Sequence, residues 1–326
     1  MRSRTDKPML PPRRRGEAAG GSLMREVCSP ENLAQAWRKV RANKGGPGVD
    51  GECLGDFERN LRANLGDLRR SLLRGAYRPQ MVRRAWIPKA SGGMRPLAIL
   101  AIRDRIAQRA VYNVLAPRFE RAFLDCSYGF REGRSLHDAA EAVARWRDAG
   151  REWVIDGDIK NCFENLDHEL LLQLLDRELR DPPLVELLQR WLKARIFNDL
   201  QGAAPAAGTF QGGVLSPLLC NVYLHPFDTV LTRLGLALVR YADDWVVLCA
   251  RKAEAEAGLR IATETLARLR LAVNPHKTRI VHFSQGFAFM GVFFLRNERY
   301  FVSPGAAVTN ERLLGSGGDA RAGKLS

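Results

Sequence analysis

Two short apolar runs on either side of an acidic break are the sharpest feature of the hydrophobic pattern. Leu236-Ala237-Leu238-Val239-Arg240 precedes Tyr241-Ala242-Asp243-Asp244, and Trp245-Val246-Val247-Leu248-Cys249 follows. Runs of this length, rich in Val and Leu and broken by a two-residue acidic turn, predict a buried β-hairpin. Helical patterns surround it. One runs from Ser29 to about Lys44, opened by a Ser-Pro-Glu cap and closed by Gly45-Gly46-Pro47-Gly48. A second covers Asp56 to Gly75, and a third Ile102 to Phe123. Between them Arg83 to Leu100 reads as a hairpin, with Val82 to Pro88 ascending, Gly92-Gly93 at the turn and Arg95 to Ile99 returning.

The second half predicts a strand at Trp153 to Ile159, one or two helices over His168 to Arg195, and a helix at Val214 to Leu234. The acidic hairpin, a helix at Ala253 to Leu271 and a strand at Thr278 to Phe283 follow. Without the insertion this order is β-α-β-β-α-β, the split ferredoxin-like topology, an antiparallel sheet in an α+β chain. That sheet sets the end of the first strand beside the tip of the central hairpin, so Asp158 is expected next to Asp243 and Asp244. No internal repeat is visible.

Charge narrows the partners. The 326 residues carry 51 Lys and Arg against 36 Asp and Glu, a net +15. From Arg69 to Arg109 there are eleven basic residues and one acid, Asp104, so this stretch carries +10 of the total. A polyanionic partner follows. Pro79, Pro88 and Pro96 interrupt any amphipathic helix there, which favours nucleic acid over a membrane surface. The six cysteines are scattered, without a Cys-x-x-Cys pair, so neither a disulfide framework nor a zinc site is expected and a reducing cytoplasm suits the chain. No run of eighteen apolar residues exists, so no membrane partner is expected.

Two adjacent carboxylates at the tip of a core hairpin repel each other unless a cation or solvent neutralises them. Hard divalent ions such as Mg²⁺ take carboxylate oxygens. With Asp158 added, the three acids form a platform for two metals about 3.5–4 Å apart, which stabilise the attacking and leaving oxygens of an in-line phosphoryl displacement. Asp156 shares a face with Asp158 and competes for the role. Asp158 is preferred because Phe163 then falls five residues on, where its ring can wall off a sugar.

These residues resemble those of group II intron-type reverse transcriptases, over roughly Glu31 to Phe294. Asp158-Ile159-Lys160-Asn161-Cys162-Phe163 resembles that family's motif A, and Tyr241-Ala242-Asp243-Asp244 matches its motif C. Gln211-Gly212-Gly213-Val214-Leu215-Ser216-Pro217 resembles its motif B, and Ile87-Pro88-Lys89 with Gly92-Gly93-Met94-Arg95-Pro96-Leu97 its fingers hairpin. Ser127-Tyr128-Gly129-Phe130-Arg131, Asn274-Pro275-His276-Lys277-Thr278 and Phe289-Met290-Gly291 are similar to further blocks.

The resemblance implies a right-hand polymerase with fingers and palm, an RNA-directed DNA polymerase that adds deoxynucleotides to a primer 3′ end on an RNA template. It implies two Mg²⁺ ions held by Asp158, Ile159, Asp243 and Asp244, with Lys277 serving the departing pyrophosphate or lying on the surface. Lys89 and Arg95 would grip the triphosphate; Ile159, Phe163, Gln211 and Gly212 would contact the nucleotide, with core packing the alternative for Phe163. Intron RNA or a CRISPR integrase complex are the further partners this lineage implies. A catalytically silent RNA-binding maturase or scaffold is the competing reading, and a nucleotidyl cyclase a third.

The expected organisation is a disordered basic arm at 1–22, fingers at 23–150, a palm at 151–300 with a fingers insertion at about 165–212, and a flexible tail at 301–326. Only 35 residues follow Gly291, too few for a helical thumb and maturase region.

Overall fold

The computed structural model describes residues 22–88, 93–194, 196–198, 202–204, 208–209 and 212–301. The expected arm and most of the tail therefore lie outside the described residues. The chain forms two compact units. One takes in the described residues up to Ile87, Pro96–Phe123 and Phe163–Pro226; the other takes in Pro88 to Arg95, Leu124–Cys162 and Phe227 onward.

In the first unit, Ser29 caps the helix Pro30–Ala42 by accepting from the Asn32 N–H, with Pro30 in the first turn. The helical pattern expected from Asp56 to Gly75 is two helices, Leu54–Arg59 and Leu61–Leu73, because Asn60 takes a non-helical conformation between them. Ile102–Glu120 is one helix. His168–Leu179 and Pro182–Leu192 are separate, parted by the left-handed Arg180 and by Asp181, which caps the second. The strands Val82–Pro88 and Met94–Ile99 adjoin in a four-stranded sheet. Its other two strands, Ile196–Asn198 and Gly202–Ala204, are too short to stand out in the hydrophobic pattern. Asp104 is buried beneath this unit's surface and accepts from Tyr77 Oη at 2.6 Å, Trp191 Nε1 at 3.1 Å and the Gln80 N–H. Burial pushes its carboxyl up, against those hydrogen bonds.

The second unit contains the antiparallel sheet that positions the acidic residues. Its order is Ala237–Tyr241, Asp244–Cys249, Trp153–Asp158, Arg279–His282. With the helices Ser216–Arg233 and Lys252–Arg268 in the chain order, this is the β-α-β-β-α-β arrangement. Strand side chains alternate between faces. Val154, Val246, Leu248, Val239 and Ala237 therefore share one face, in a common core with the helix Leu136–Asp148. Gly157, Trp245 and Arg240 lie on the other, as the pairs Gly157↔Trp245 and Arg240↔Trp245 require. Helix Lys252–Arg268 closes that second face, with Gly258 against Ile155.

The hydrophobic pattern does not predict two elements of this unit. Leu136–Asp148 is a helix opened by a reciprocal cap between Ser135 and Asp138. Phe287–Phe289, Val292–Leu295 and Glu298–Phe301 form a three-stranded antiparallel sheet whose first turn is Met290-Gly291, both at positive φ. Among the described residues, no helix is long and apolar enough to cross a membrane.

Candidate active site

The acidic turn is one residue displaced from the expected Asp243-Asp244 tip. Tyr241 pairs with Asp244, so Ala242 and Asp243 form the two-residue loop and Asp244 begins the returning strand. Ala242 sits at φ +59. A left-handed alanine costs about 1 kcal/mol, so the surrounding structure must impose it.

Asp158 ends the Trp153–Asp158 strand directly opposite Asp244. Like charges opposite each other in a ladder are destabilising, and the titration behaviour reports the crowding. Asp244 is pushed up to about 7, first by burial, then by the charges of Asp243 and Asp158. Asp243 is raised by burial and by Asp158. Asp156, on the same face, is raised by burial and countered by Arg279, whose Nε lies 3.1 Å from its Oδ2.

Asp158 is gripped by the segment after the last palm helix. Lys277 Nζ donates to its Oδ1 at 2.8 Å, and Asn274 Nδ2 to its Oδ2 at 2.9 Å. The Asn274 N–H also donates to the Asp158 carbonyl at 2.8 Å, and the Asp158 N–H to Thr278 Oγ1 at 3.3 Å. Lys277 is two-thirds exposed, and the bond to Asp158 raises its ammonium pKa. Ile159 is buried and bridges to Val273, which anchors the same segment.

The donor set suits a hard cation: three carboxylates crowd at one end of a sheet, and an ammonium already lies on one of them. Among the described residues no three His, Cys, Asp or Glu side chains converge on one ion position. Lys277 and Asn274 hold both oxygens of Asp158.

The other expected residues divide. Asp158, Ile159, Asp243, Asp244 and Lys277 all belong to the second unit, and the contacts above bring them together. Phe163 and Gly212 belong to the first. Phe163 opens the 3₁₀ turn Phe163–Asn165, half-buried, and its carbonyl accepts from the Thr209 N–H at 2.7 Å. Gly212 takes φ +99, and a Cβ there would stand 3.0 Å from the Ala98 carbonyl oxygen. Arg95 is in the Met94–Ile99 strand. Lys89 and Gln211 lie outside the described residues.

Asn274 has no role assigned by the sequence pattern, yet its amide is a side-chain donor to Asp158. In the hydrophobic pattern Arg240 is only the end of an apolar run. An arginine in a strand that is otherwise Val and Leu is itself a signal, since arginine is almost never fully buried without a partner.

Comparison with known proteins agrees with this geometry. The family described as "Reverse transcriptase (RNA-dependent DNA polymerase)" matches residues 87–294. Protein YkfC of Escherichia coli K12 is 35% identical over 315 residues, covering 84% of this chain and 83% of that protein. The group II intron-encoded protein LtrA of Lactococcus lactis is 36% identical over 226 residues, 68% of this chain but 37% of LtrA, so the chain spans little more than a third of that relative. Among solved structures, telomerase from Candida albicans in complex with a telomeric RNA fragment has a TM-score of 0.54 at 14% identity, over 72% of this chain and 48% of that one; this likeness concerns the fold. By the span of the family match and the shared length with YkfC, this chain belongs to the reverse transcriptase family.

Proposed function

We propose that this chain is an active RNA-directed DNA polymerase of a group II intron-like retroelement, adding dNTPs to a primer 3′ end on an RNA template. The observation that supports the proposal is Asp158 lying opposite Asp244, with Asp243 at the adjoining turn and the carboxyls of Asp243 and Asp244 pushed upward by burial and neighbouring charge. Such crowding is a standing cost to the fold, and binding of divalent cations relieves it.

Asp158, Asp243 and Asp244, with Ile159, are the residues that would hold two Mg²⁺. Bound there, the ions would stabilise the attacking 3′ oxygen and the leaving pyrophosphate oxygen of an in-line displacement. Lys277, protonated and on the surface beside Asp158, is set to neutralise or protonate the departing pyrophosphate once it releases that carboxylate. Lys89 and Arg95 grip the triphosphate, Arg95 with the capacity for bidentate contact. Phe163, Gln211 and Gly212 line the nucleotide, with Phe163 against the sugar. The basic stretch from Arg69 to Arg109 holds RNA template and DNA primer by backbone contacts. Likeness to an intron-encoded protein supports the retroelement setting over spacer acquisition beside a CRISPR integrase.

One observation favours a second reading. Lys277 and Asn274 occupy both oxygens of Asp158, which suits a silent RNA-binding maturase whose acids are structural. Primer extension on poly(rA)/oligo(dT) with Mg²⁺ separates the two. Extension by the wild type that vanishes in Asp243→Ala supports the polymerase. Tight RNA binding with no extension under any divalent ion refutes it in favour of the maturase.

A further inference from the structure

Arg240 has no exposed side-chain surface, and neither has its partner Asp228. It stands on the face of the sheet opposite Asp158 and Asp244, one residue before the acidic turn. Nε donates to Asp228 Oδ1 at 2.7 Å and Nη2 to Asp228 Oδ2 at 2.6 Å, a bidentate pair. Nη2 also donates to Ser127 Oγ at 2.8 Å, and Nη1 to the carbonyl of Ala242 at 2.7 Å. Asp228 comes from the last part of helix Ser216–Arg233, Ser127 from the Leu124–Arg131 loop, and Ala242 is the left-handed residue of the acidic turn.

The loop holding Ser127 is itself fixed. Arg131 Nη1 donates to the carbonyls of Leu124 and Ser127 at 2.6 and 2.7 Å. Its backbone runs beside Arg240, with the Arg240 N–H donating to the Cys126 carbonyl at 2.7 Å and the Tyr128 N–H to the Arg240 carbonyl at 2.8 Å. Gly129 then presses on the turn: a Cβ there would stand 2.4 Å from the Ala242 nitrogen. Ala242 is thus flanked by the Gly129 backbone and held at its carbonyl by the Arg240 guanidinium.

We infer that Arg240 is a positioning residue for the active site: braced by Asp228 and Ser127, it holds the Ala242 carbonyl and so aims the carboxylates of Asp243 and Asp244. The inference rests on the polymerase reading. A buried ion pair is a poor source of net stability, and apolar residues of similar volume often replace one without loss. Removing one partner alone strands a buried charge and is strongly destabilising. The pair therefore makes sense here as geometry, because the guanidinium reaches acceptors on three residues at once and no apolar side chain can hold a carbonyl.

The test is the double variant Arg240→Met/Asp228→Leu beside Arg240→Met alone. The single variant loses thermal stability, and the double recovers to within about 3 °C of wild type. Despite that recovery, kcat for single-nucleotide extension falls by about 10²-fold in the double variant, with KM for dNTP and RNA affinity within about twofold. Mn²⁺ affinity, read by electron paramagnetic resonance in the absence of nucleotide, weakens by about tenfold. A stable double variant with wild-type kcat and Mn²⁺ affinity overturns the inference. Should the double variant fail to fold, Arg240→Lys, which keeps the buried charge but loses the fork, is held to the same split between rate and stability. A wild-type protein that extends no primer refutes the polymerase reading instead, and the Mn²⁺ titration then decides the brace by itself.

Discussion

Replacing Gly157 by alanine tests the register on which the site depends. Gly157 pairs with Trp245, and a Cβ on it would stand 2.3 Å from Trp245 Cε2 and Cζ2 and 2.7 Å from Cδ2. The indole has nowhere to go: it is fully buried, and Phe227 meets it edge-on with ring centroids 5.4 Å apart. Overpacking a filled core costs about 1–3 kcal/mol, and clashes with three atoms of an immobile ring put this case at about 3 kcal/mol. For a chain of 326 residues that lowers Tm by roughly 4–5 °C. The strand can relieve the clash only by bowing away from its neighbour, which separates Asp158 from Asp244. A displacement near 1 Å costs about 10²-fold in rate. Urea denaturation and single-nucleotide extension read the two effects. Trp245→Leu in the same chain makes room, and since Trp245 Nε1 has no hydrogen-bond partner among the described residues, the leucine forfeits no polar contact with them. The two substitutions should couple favourably by at least about 1 kcal/mol. Strict additivity, or a Gly157→Ala protein with an unchanged urea midpoint, would refute the register.

The remaining predictions concern charge. Asp243→Asn should abolish extension, by about 10³-fold or more, yet raise the Tm of the chelator-treated protein, because it removes a charge beside Asp244; a lowered Tm contradicts the crowding. The carboxyl of Asp244 is ordinary when unfolded and titrates near 7 when folded, so its contribution to stability is full below about pH 4 and lost as pH rises to about 7. Shared among neighbours and partly solvated, the loss is about 2 kcal/mol. It is measured as the wild-type minus Asp244→Asn difference in urea midpoint with chelator at pH 5 and pH 8, and a difference that moves in favour of the wild type at pH 8 would reverse the sign argued here. Asn274→Ala removes one of the two side-chain donors on Asp158, and should slow extension by about tenfold for a stability loss of about 1 kcal/mol; an unchanged rate shows that Lys277 alone orients the carboxylate. RNA affinity should fall by roughly 10³ between 50 and 200 mM salt if about six phosphates are neutralised, and a flat salt profile in filter binding removes the basic stretch from the interface.

How far the sequence reveals this molecule depends on where each part draws its stability. The acidic hairpin and the first palm strand are legible because buried strands are continuous apolar runs, and a carboxylate pair interrupting them has few structural uses. The helix Leu136–Asp148 is less so: its buried face is mostly alanine, at 139, 140, 142 and 144 around Val143, and such a stripe is faint in a hydrophobic pattern. Its N-terminal signal was present in Ser135 and Asp138, the reciprocal cap. The C-terminal sheet hides for another reason. Its strands are three or four residues long, and its turns put Met290 and Arg296 at positive φ where Asn or Gly would have marked a hairpin. Within the site, the three aspartates follow from topology, since β-α-β-β-α-β order alone sets one strand end beside the hairpin tip. Their restraints do not. Lys277 and Asn274 reach Asp158 across more than a hundred residues of sequence, and Asp228 meets Arg240 only because a helix passes under the sheet. The candidate carboxylates are thus readable from the chain as chemistry, whereas the groups that hold them belong to the packing. That asymmetry has a physical root: an acid in a core hairpin violates local rules and draws notice, while a well-satisfied arginine violates nothing once its partners are in place.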